Sequence, residues 1–422
     1  MPRLVGAGYF RLRLSSSVKA KSRIQCNNNV EIGISKMKVG IIGLPQTGKK
    51  TLFQILTGSE VKEQSGTPKP LPGTADILDA RFDKMVAMYS PKKEVRARVD
   101  LVLLPKMEQE NISKGDIFRD IADMDAVCHV VRAFEDDAIY HADGSVDPLR
   151  DASMVNAELI MHDQIFVEKR IERIEQLIKK KKDEEQQKEL VLMKKMLEHL
   201  EQEKPLRLLE LVPEEERLIR SYPFITRKEM IIALNVAEDD INISAQNDLN
   251  APKSESFDRE SMSMTPDKKN DYSHPLLEKF KVMCESDKMN VMLVSAKVEA
   301  EITLLESDEE KAEFLHDLGI QESALEVLTR LCLNALGLIS FLTVGTDEVR
   351  QWLVRRGSPA PVAAGVIHSD LQRGFIRAEV IKYDELIAYG SEAELKKAGK
   401  MYVQGKDYIV EDGDILNIRF KV

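Results

Sequence analysis

The sequence predicts an α/β protein built on a mostly parallel sheet, and three observations support this prediction. Short apolar runs alternate with stretches of helical periodicity, which is the pattern of parallel strands wrapped by helices. A glycine-rich loop directly follows the first apolar run. A long, highly charged segment without glycine interrupts the alternation further along the chain. The predicted strands cover 37–43, 99–104, 125–133, 230–235 and 290–295.

Length, charge and cysteine content narrow the class of protein. The chain has 422 residues, which is enough for two or three domains. Its formal net charge of −10 argues against bulk affinity for nucleic acid, although a local basic face could still bind RNA. The four cysteines show no CxxC spacing, so we expect neither a zinc knuckle nor a disulfide framework. No apolar run approaches the roughly 20 residues that a membrane span needs, and we expect no membrane partner.

Residues 1–36 differ in composition from the rest of the chain. They contain six basic residues and a run of serines before the first acidic residue, Glu31. This composition fits an organelle transit peptide, but it equally fits an over-extended start with Met37 as the natural first residue. The second interpretation predicts a cytoplasmic protein and the first an organellar one. We expect residues 1–36 to be a disordered extension, a mis-assigned start or a transit peptide, and in each case to lie outside the fold.

The stretch GLPQTGKKT at 43–51 nearly matches the phosphate-binding pattern G-x-x-x-x-G-K-[S/T]. A glycine-rich turn between a strand and a helix lets backbone N–H groups surround phosphate oxygens, and a lysine adds a full positive charge. The pattern calls for a hydroxyl side chain directly after that lysine, as a magnesium ligand, and here the residue is lysine. We predict that the following residues contact the nucleotide: Gly43, Pro45, Gln46, Thr47, Gly48, Lys49, Lys50 and Thr51.

Two further motifs stand where a base pocket is expected. The strand at 230–235 ends in NVAE, where GTP-binding P-loop proteins have N-K-x-D, and the strand at 290–295 ends in S-A-K. Val236 and Glu238 therefore replace the lysine and aspartate of the guanine motif, which weakens a guanine-specific interpretation. The predicted base-pocket residues are Asn235, Val236, Glu238, Ser295 and Ala296.

The remaining segments predict a multi-part chain. The charged segment at 153–222 carries apolar residues at helical spacing and predicts two antiparallel helices in a coiled-coil hairpin. Its lysine run at 179–182 is either a solvated tip or a tip that faces RNA. We predict loop at 58–76, a disordered insertion at 242–274 and helix within 308–335. The nucleotide domain then covers 37–152 and 223–338, and a small mixed α+β domain covers 339–422.

These motifs resemble the YchF or Obg-like ATPase family. The loop is similar to the family's GLPNVGKST, and Asn235 with Glu238 is similar to its N-x-x-E motif. The stretch 125–151 is also similar to the family, and 360–387 and 405–420 resemble its C-terminal TGS domain, a ubiquitin-like β-grasp fold. The resemblance implies that ATP is accepted alongside or above GTP. It also implies a cytosolic role at the ribosome or on RNA, in translation or stress regulation, with the TGS domain and helical hairpin as contact surfaces.

The sequence departs from this family where magnesium would bind. The family has D-x-x-G after its second core strand, and the aligned residues here are Leu103, Leu104, Pro105 and Lys106. A leucine cannot bind a metal ion, and Lys50 removes the other expected ligand. We therefore predict no metal site and weak or absent hydrolysis, since phosphoryl transfer relies on metal and positioned donors. Lys50 either adds positive charge near the phosphates or extends into solvent.

Two alternatives remain open from the residues alone. One is a competent ATPase or GTPase with a non-standard metal site. The other is an RNA or ribosome adaptor that no longer binds nucleotide. The sequence indicates no catalytic residue: His129, His368 and Trp352 are interpreted as packing or structural residues, and the oligomeric state is not predicted.

Overall fold

A computed structural model describes residues 37–61, 69–108, 112, 115–141, 144–180, 183–240, 275–305, 307–318 and 322–421. The segment 1–36 and the predicted disordered insertion at 242–274 lie outside the described residues. No helix in the described ranges is long and apolar enough to cross a membrane.

A six-stranded sheet forms the centre of the nucleotide-domain segments, in the order β2-β4-β1-β5-β6-β7. All five predicted apolar runs are strands of this sheet, and their pairings are parallel. The strands and one short outlying strand are β1 (Lys38–Ile42), β2 (Leu71–Asp76), β3 (Glu94–Val95), β4 (Arg98–Leu103), β5 (Ala126–Arg132), β6 (Glu229–Asn235) and β7 (Asn290–Val294).

The prediction of loop throughout 58–76 is wrong at its end. β2 pairs antiparallel with β4 at the edge of the sheet. Its sequence, LPGTAD, contains Pro72 and Gly73, which favour loops but are tolerated in an edge strand. Gly73 lies against Phe53, where an added Cβ would come within 2.7 Å of the aromatic ring. This close packing explains why a glycine occurs inside a strand.

Helices cover both faces of the sheet, and an apolar core lies between the sheet and the helices on each face. Phe53 and Leu328 lie in the core on one face, and Leu159 and Phe280 lie in the core on the other. The helices of this part are α1 (Lys49–Thr57), α2 (Ala80–Tyr89), α3 (Asp116–Ala122), α4 (Pro148–Lys180), α5 (Glu184–Glu201), α6 (Pro213–Ile219), α7 (Pro275–Ser286), α8 (Ala296–Leu304), α9 (Asp308–Asp317) and α10 (Ala324–Ala335), with 3-10 turns at Leu206–Leu208 and Glu238–Asp240.

Helices α4 and α5 pack along each other, and three residues separate them, so they run antiparallel. Ile174 and Met193 lie in their shared apolar core. Arg170 donates to Glu189 across the pair at 2.7 Å. The predicted start of the hairpin at 153 falls inside α4, because the first turns of this helix pack on the sheet through Val155 and Leu159.

A second sheet contains the C-terminal strands, in the order β11-β10-β12-β8-β9-β3. β12 and β8 are parallel neighbours at its centre, and β10 pairs antiparallel with both β12 and β11. Its elements are β8 (Leu338–Thr343), β9 (Val349–Arg355), α11 (Ala360–Ile367), α12 (Ser369–Arg373), β10 (Phe375–Ile381), α13 (Tyr383–Tyr389), α14 (Glu392–Lys397), β11 (Tyr402–Gln404) and β12 (Ile415–Phe420).

Residues 79–95 pack with this second sheet, although the sequence places them inside the nucleotide domain. β3 pairs with β9, and Phe82 and Met85 of α2 are fully buried in an apolar cluster with C-terminal residues. Arg81 joins the two parts by pairing with Asp79 at 2.9 Å and with Asp412 at 2.8 Å. The predicted domain boundary at 338 therefore does not divide the chain into two independently packed parts, because residues 79–95 lie before it and pack on the C-terminal sheet.

Candidate nucleotide-binding site

The glycine-rich loop lies between β1 and α1, and α1 begins at Lys49. Two of its glycines are required by the surrounding structure. An added Cβ on Gly43 would lie 2.6 Å from the carbonyl oxygen of Val130. Gly48 has a φ of +88° and directly abuts the amide of Asn235. A side chain at either position would push the loop away from the sheet.

Asn235, at the end of β6, connects the loop to the S-A-K motif. Its Nδ2 donates to the carbonyl oxygen of Thr47 at 3.0 Å, and its Oδ1 accepts from the backbone N–H of Ala296 at 3.0 Å. Both bonds are buried. Ser295 caps helix α8, because its hydroxyl oxygen accepts from the N–H of Val298. One side chain therefore connects the loop at 43–51 to the S-A-K motif at 295–297, although the two motifs are far apart in the sequence.

Lys49 is buried, with 5% of its surface exposed. Its ammonium donates to the carbonyl oxygens of Gly43 at 3.0 Å and Pro105 at 2.8 Å. Burial, together with the positive charges of Lys106 and Lys50, lowers the pKa of Lys49 to about 7. A bound polyanion would supply the opposite charge that this ammonium lacks.

A cavity of about 810 Å³ lies beside the loop and extends from Lys49 to the ends of β5, β6 and β7. Of the predicted site residues, only Gly43 and Pro45 do not line it. The lining residues that the sequence predicted are Gln46, Thr47, Gly48, Lys49, Lys50, Thr51, Asn235, Val236, Glu238, Ser295 and Ala296. The structure adds Lys106, Phe134, Glu135, Asp136, Ala138, Ile139, Ala237 and Lys297.

The part of the cavity wall that follows β5 is aromatic. Phe134 follows β5 and lines the cavity, and the guanidinium of Arg132 lies 4.6 Å from the centre of its ring. Arg132 is itself buried and donates to the carbonyl oxygens of Phe134 at 3.1 Å and Ile139 at 3.1 Å. It thereby holds the 134–139 turn in place. A lone aromatic directly after a predicted strand was the available sequence signal for this wall.

Glu238 and Lys297 form a pair at the cavity wall. The Lys297 ammonium lies 3.2 Å from a carboxylate oxygen of Glu238. Both residues line the cavity, so the carboxylate that stands in the place of the guanine-binding aspartate has a positively charged partner here.

Two positions near the loop lack the oxygen ligands that magnesium prefers. Magnesium prefers carboxylate and hydroxyl oxygens in octahedral geometry. Lys50 occupies the hydroxyl position, Leu103 is buried and apolar, and Lys106 carries a positive charge into the same region. Within the described ranges, no group of three or more His, Cys, Asp and Glu side chains could hold a metal ion.

His129 lies in the middle of β5 and is fully enclosed, with 2% exposed. Burial and the nearby charge of Lys49 lower the pKa of His129 to about 3. The imidazole is therefore neutral at physiological pH, as a packed side chain inside a strand would be.

The parallel sheet, the loop before α1 and the buried lysine define a P-loop nucleotide-binding fold. Proteins of similar sequence support this assignment. A ribosome-binding ATPase YchF of Bacillus subtilis is 37% identical over 393 residues, which cover 92% of this chain and 100% of the relative. Obg-like ATPase 1 of Caenorhabditis elegans is 33% identical and covers 92% of both chains. The chain belongs to the YchF family.

A solved structure and a family model support the same assignment. The YchF GTPase of Schizosaccharomyces pombe matches with a TM-score of 0.71 and 28% identity, covering 91% of this chain and 98% of that one. Residues 338–421 match the family model YchF-GTPase_C, which is described as a protein of unknown function, DUF933.

Proposed function

We propose that this chain binds ATP or GTP in the 810 Å³ cavity and acts as a nucleotide-binding regulator at the ribosome or on RNA, with slow or absent hydrolysis. The buried ammonium of Lys49 is the observation on which nucleotide binding rests. A buried lysine whose ammonium donates to two carbonyl oxygens is stabilised when phosphate oxygens approach it. The Asn235 bonds keep the loop in shape for that contact.

The opposite end of the cavity favours ATP at least as much as GTP. Phe134 and Val236 offer an aromatic and an aliphatic surface on which either purine can stack. Guanine selectivity requires a carboxylate that accepts from the two donors of the base. The Glu238 carboxylate is instead paired with Lys297 at 3.2 Å, so a guanine would have to displace this partner.

Hydrolysis requires stabilisation of the charge that develops on the transferred phosphoryl group. The protein ligands that would hold a metal ion for this purpose are replaced by Lys50 and Leu103. Losing both ligands would raise the barrier by several kcal/mol, which corresponds to a rate on the order of 10³-fold lower. The alternative, a competent hydrolase, would need a metal held by other groups.

Ribosome association is supported by similarity to relatives that are named ribosome-binding ATPases. We propose that the contacts are made by the C-terminal sheet, which we interpret as a TGS domain, and by the tip of the α4–α5 hairpin. Lys179 and Lys180 at the end of α4 are exposed and basic. A cytoplasmic location follows from this proposal.

Titration of the full chain with ATP and GTP, combined with phosphate release, tests the nucleotide part. We expect micromolar to millimolar binding, ATP at least equal to GTP, and little phosphate released. Brisk, magnesium-dependent turnover would instead establish the competent hydrolase. If neither nucleotide binds, the remaining alternative is an RNA or ribosome adaptor that no longer binds nucleotide.

Ribosome co-sedimentation tests the partner. The double variant K179E/K180E should reduce the sedimented fraction if the hairpin tip contacts RNA. K279E/K288E is the matched control, because it changes the charge equally at exposed sites away from both that tip and the C-terminal sheet. Equal sedimentation of both variants would exclude the tip as the contact.

A further inference from the structure

We propose that Lys106, together with Lys50, takes the place of a metal ion, so that this site binds a nucleoside triphosphate as the metal-free polyanion and magnesium weakens binding. The inference rests on the proposed function, because it concerns the same cavity. It differs from simple loss of a metal site, which predicts only that magnesium has no effect.

The backbone around Lys106 is attached to the phosphate loop on both sides. The N–H of Leu104 donates to Ile41 at 3.0 Å, and the N–H of Met107 donates to Gly43 at 3.2 Å. The carbonyl oxygen of Pro105 accepts from Lys49 at 2.8 Å. These bonds hold the backbone of residue 106 next to the loop. A surface segment without such bonds could move away from the loop.

The side chain of Lys106 is exposed at the cavity wall, and so is that of Lys50. Both charges act on Lys49, and the charge on Lys106 acts more strongly than that of the sequence neighbour Lys50. Three ammonium groups therefore surround one end of the cavity. Glu108 is the carboxylate that opposes them at Lys49, and its effect is the smallest of the three charges.

Such a cluster selects the more highly charged form of the ligand. A free nucleoside triphosphate carries about two more negative charges than its magnesium complex. Three neighbouring cations gain more from the free form, and they repel an additional divalent cation. Lysine suits this role because its ammonium is a compact point charge on a flexible stem, which can follow the phosphate oxygens.

The experiment measures ATP affinity of the full chain by calorimetry, in EDTA and in excess magnesium chloride. Potassium chloride keeps the ionic strength equal. We expect the affinity in EDTA to be about tenfold higher or more, which corresponds to the selectivity of one strong charge contact. K106M should lose most of that difference by weakening binding in EDTA, and K106R should retain it.

K279M is the matched control, because Lys279 is exposed on α7 and does not line the cavity. Thermal melting of each variant establishes that it is folded, and K106Q, which also removes the charge, replaces K106M if K106M is not folded. Equal or tighter binding in magnesium would overturn the inference while leaving the proposed function intact. Tighter binding in EDTA that K106M does not change would overturn the role of Lys106. No binding in either condition would contradict the proposed function itself.

Discussion

The two ends of the cavity are lined by different kinds of chemical groups. The end at the loop consists of backbone groups and lysines: Gly43 and Gly48 admit close packing, and Lys49, Lys50 and Lys106 supply charge. The other end consists of an aromatic wall at Phe134 and side chains after three strands. This difference separates two properties. The charged end at the loop should determine whether a nucleotide binds and with which cation, and the end at Phe134 and Glu238 should determine which base is accepted.

Removing the central charge of the loop end should have the largest effect. We expect K49M to weaken ATP and GTP binding equally, by about 100-fold or more, because charge-assisted contacts to phosphate are lost. Calorimetry of both nucleotides checks this, with K279M as the control. A change in the ATP-to-GTP ratio would contradict the separation of the two ends.

Removing the aromatic wall should have the next largest effect. We expect F134A to weaken ATP binding by about tenfold or more, since stacking of a base on an aromatic ring contributes about 1–3 kcal/mol. F134Y preserves the ring and is the matched control. The loss should be smaller for inorganic triphosphate, which has no base, and an equal loss for it would mean that Phe134 acts through the loop.

The pH dependence of binding should report on the charged end alone. Lys49 has a pKa of about 7 in the free protein, and bound phosphate favours its protonated form, so binding takes up protons above that pH. We expect the ATP affinity to fall by about tenfold between pH 7 and pH 8.5. K106M removes a neighbouring positive charge and should move this profile to higher pH. A profile that is flat across this range would show that Lys49 stays charged without ligand.

The same group affects the stability of the free protein. Because the pKa of Lys49 is lowered by folding, the unfolded chain binds more protons between about pH 7 and the ordinary lysine value of 10.5. The contribution of this group to the free energy of unfolding therefore rises with pH across that window.

The smallest effect is expected at the Glu238–Lys297 pair. It is partly exposed, so E238D should change the free energy of unfolding by less than about 1 kcal/mol. We expect E238D to shift the ATP-to-GTP affinity ratio a few-fold towards GTP, because the shorter carboxylate releases Lys297 and resembles the guanine-binding aspartate. E238Q is the control that removes the charge and keeps the length. An unchanged ratio in E238D would mean that this carboxylate does not face the base.

Part of the site was predictable because its signals are local. The loop, the Asn235 motif and the S-A-K motif each follow an apolar strand directly, and parallel strands bring their carboxyl ends to one edge of the sheet. Lys106 and Phe134 were not predicted as site residues, because Lys106 was aligned only as a departure from D-x-x-G and Phe134 has only the weak signal of an aromatic directly after a predicted strand. The edge strand β2 was missed because proline and glycine are tolerated in a strand only when one side is unpaired.

The sequence by itself determined the α/β class, the five core strands and the loop that carries Lys49, since these depend on hydrophobic runs and on residues a few positions apart. Only the tertiary structure decided that residues 79–95 pack on the C-terminal sheet, where Arg81 pairs with Asp412. It also decided that the segment after β4, which contains Pro105 and Lys106, lies against the loop. The physical reason is the distance along the chain over which each interaction can act. Burial and charge act through space, so they join residues that sequence spacing cannot relate, whereas backbone conformation is set by near neighbours.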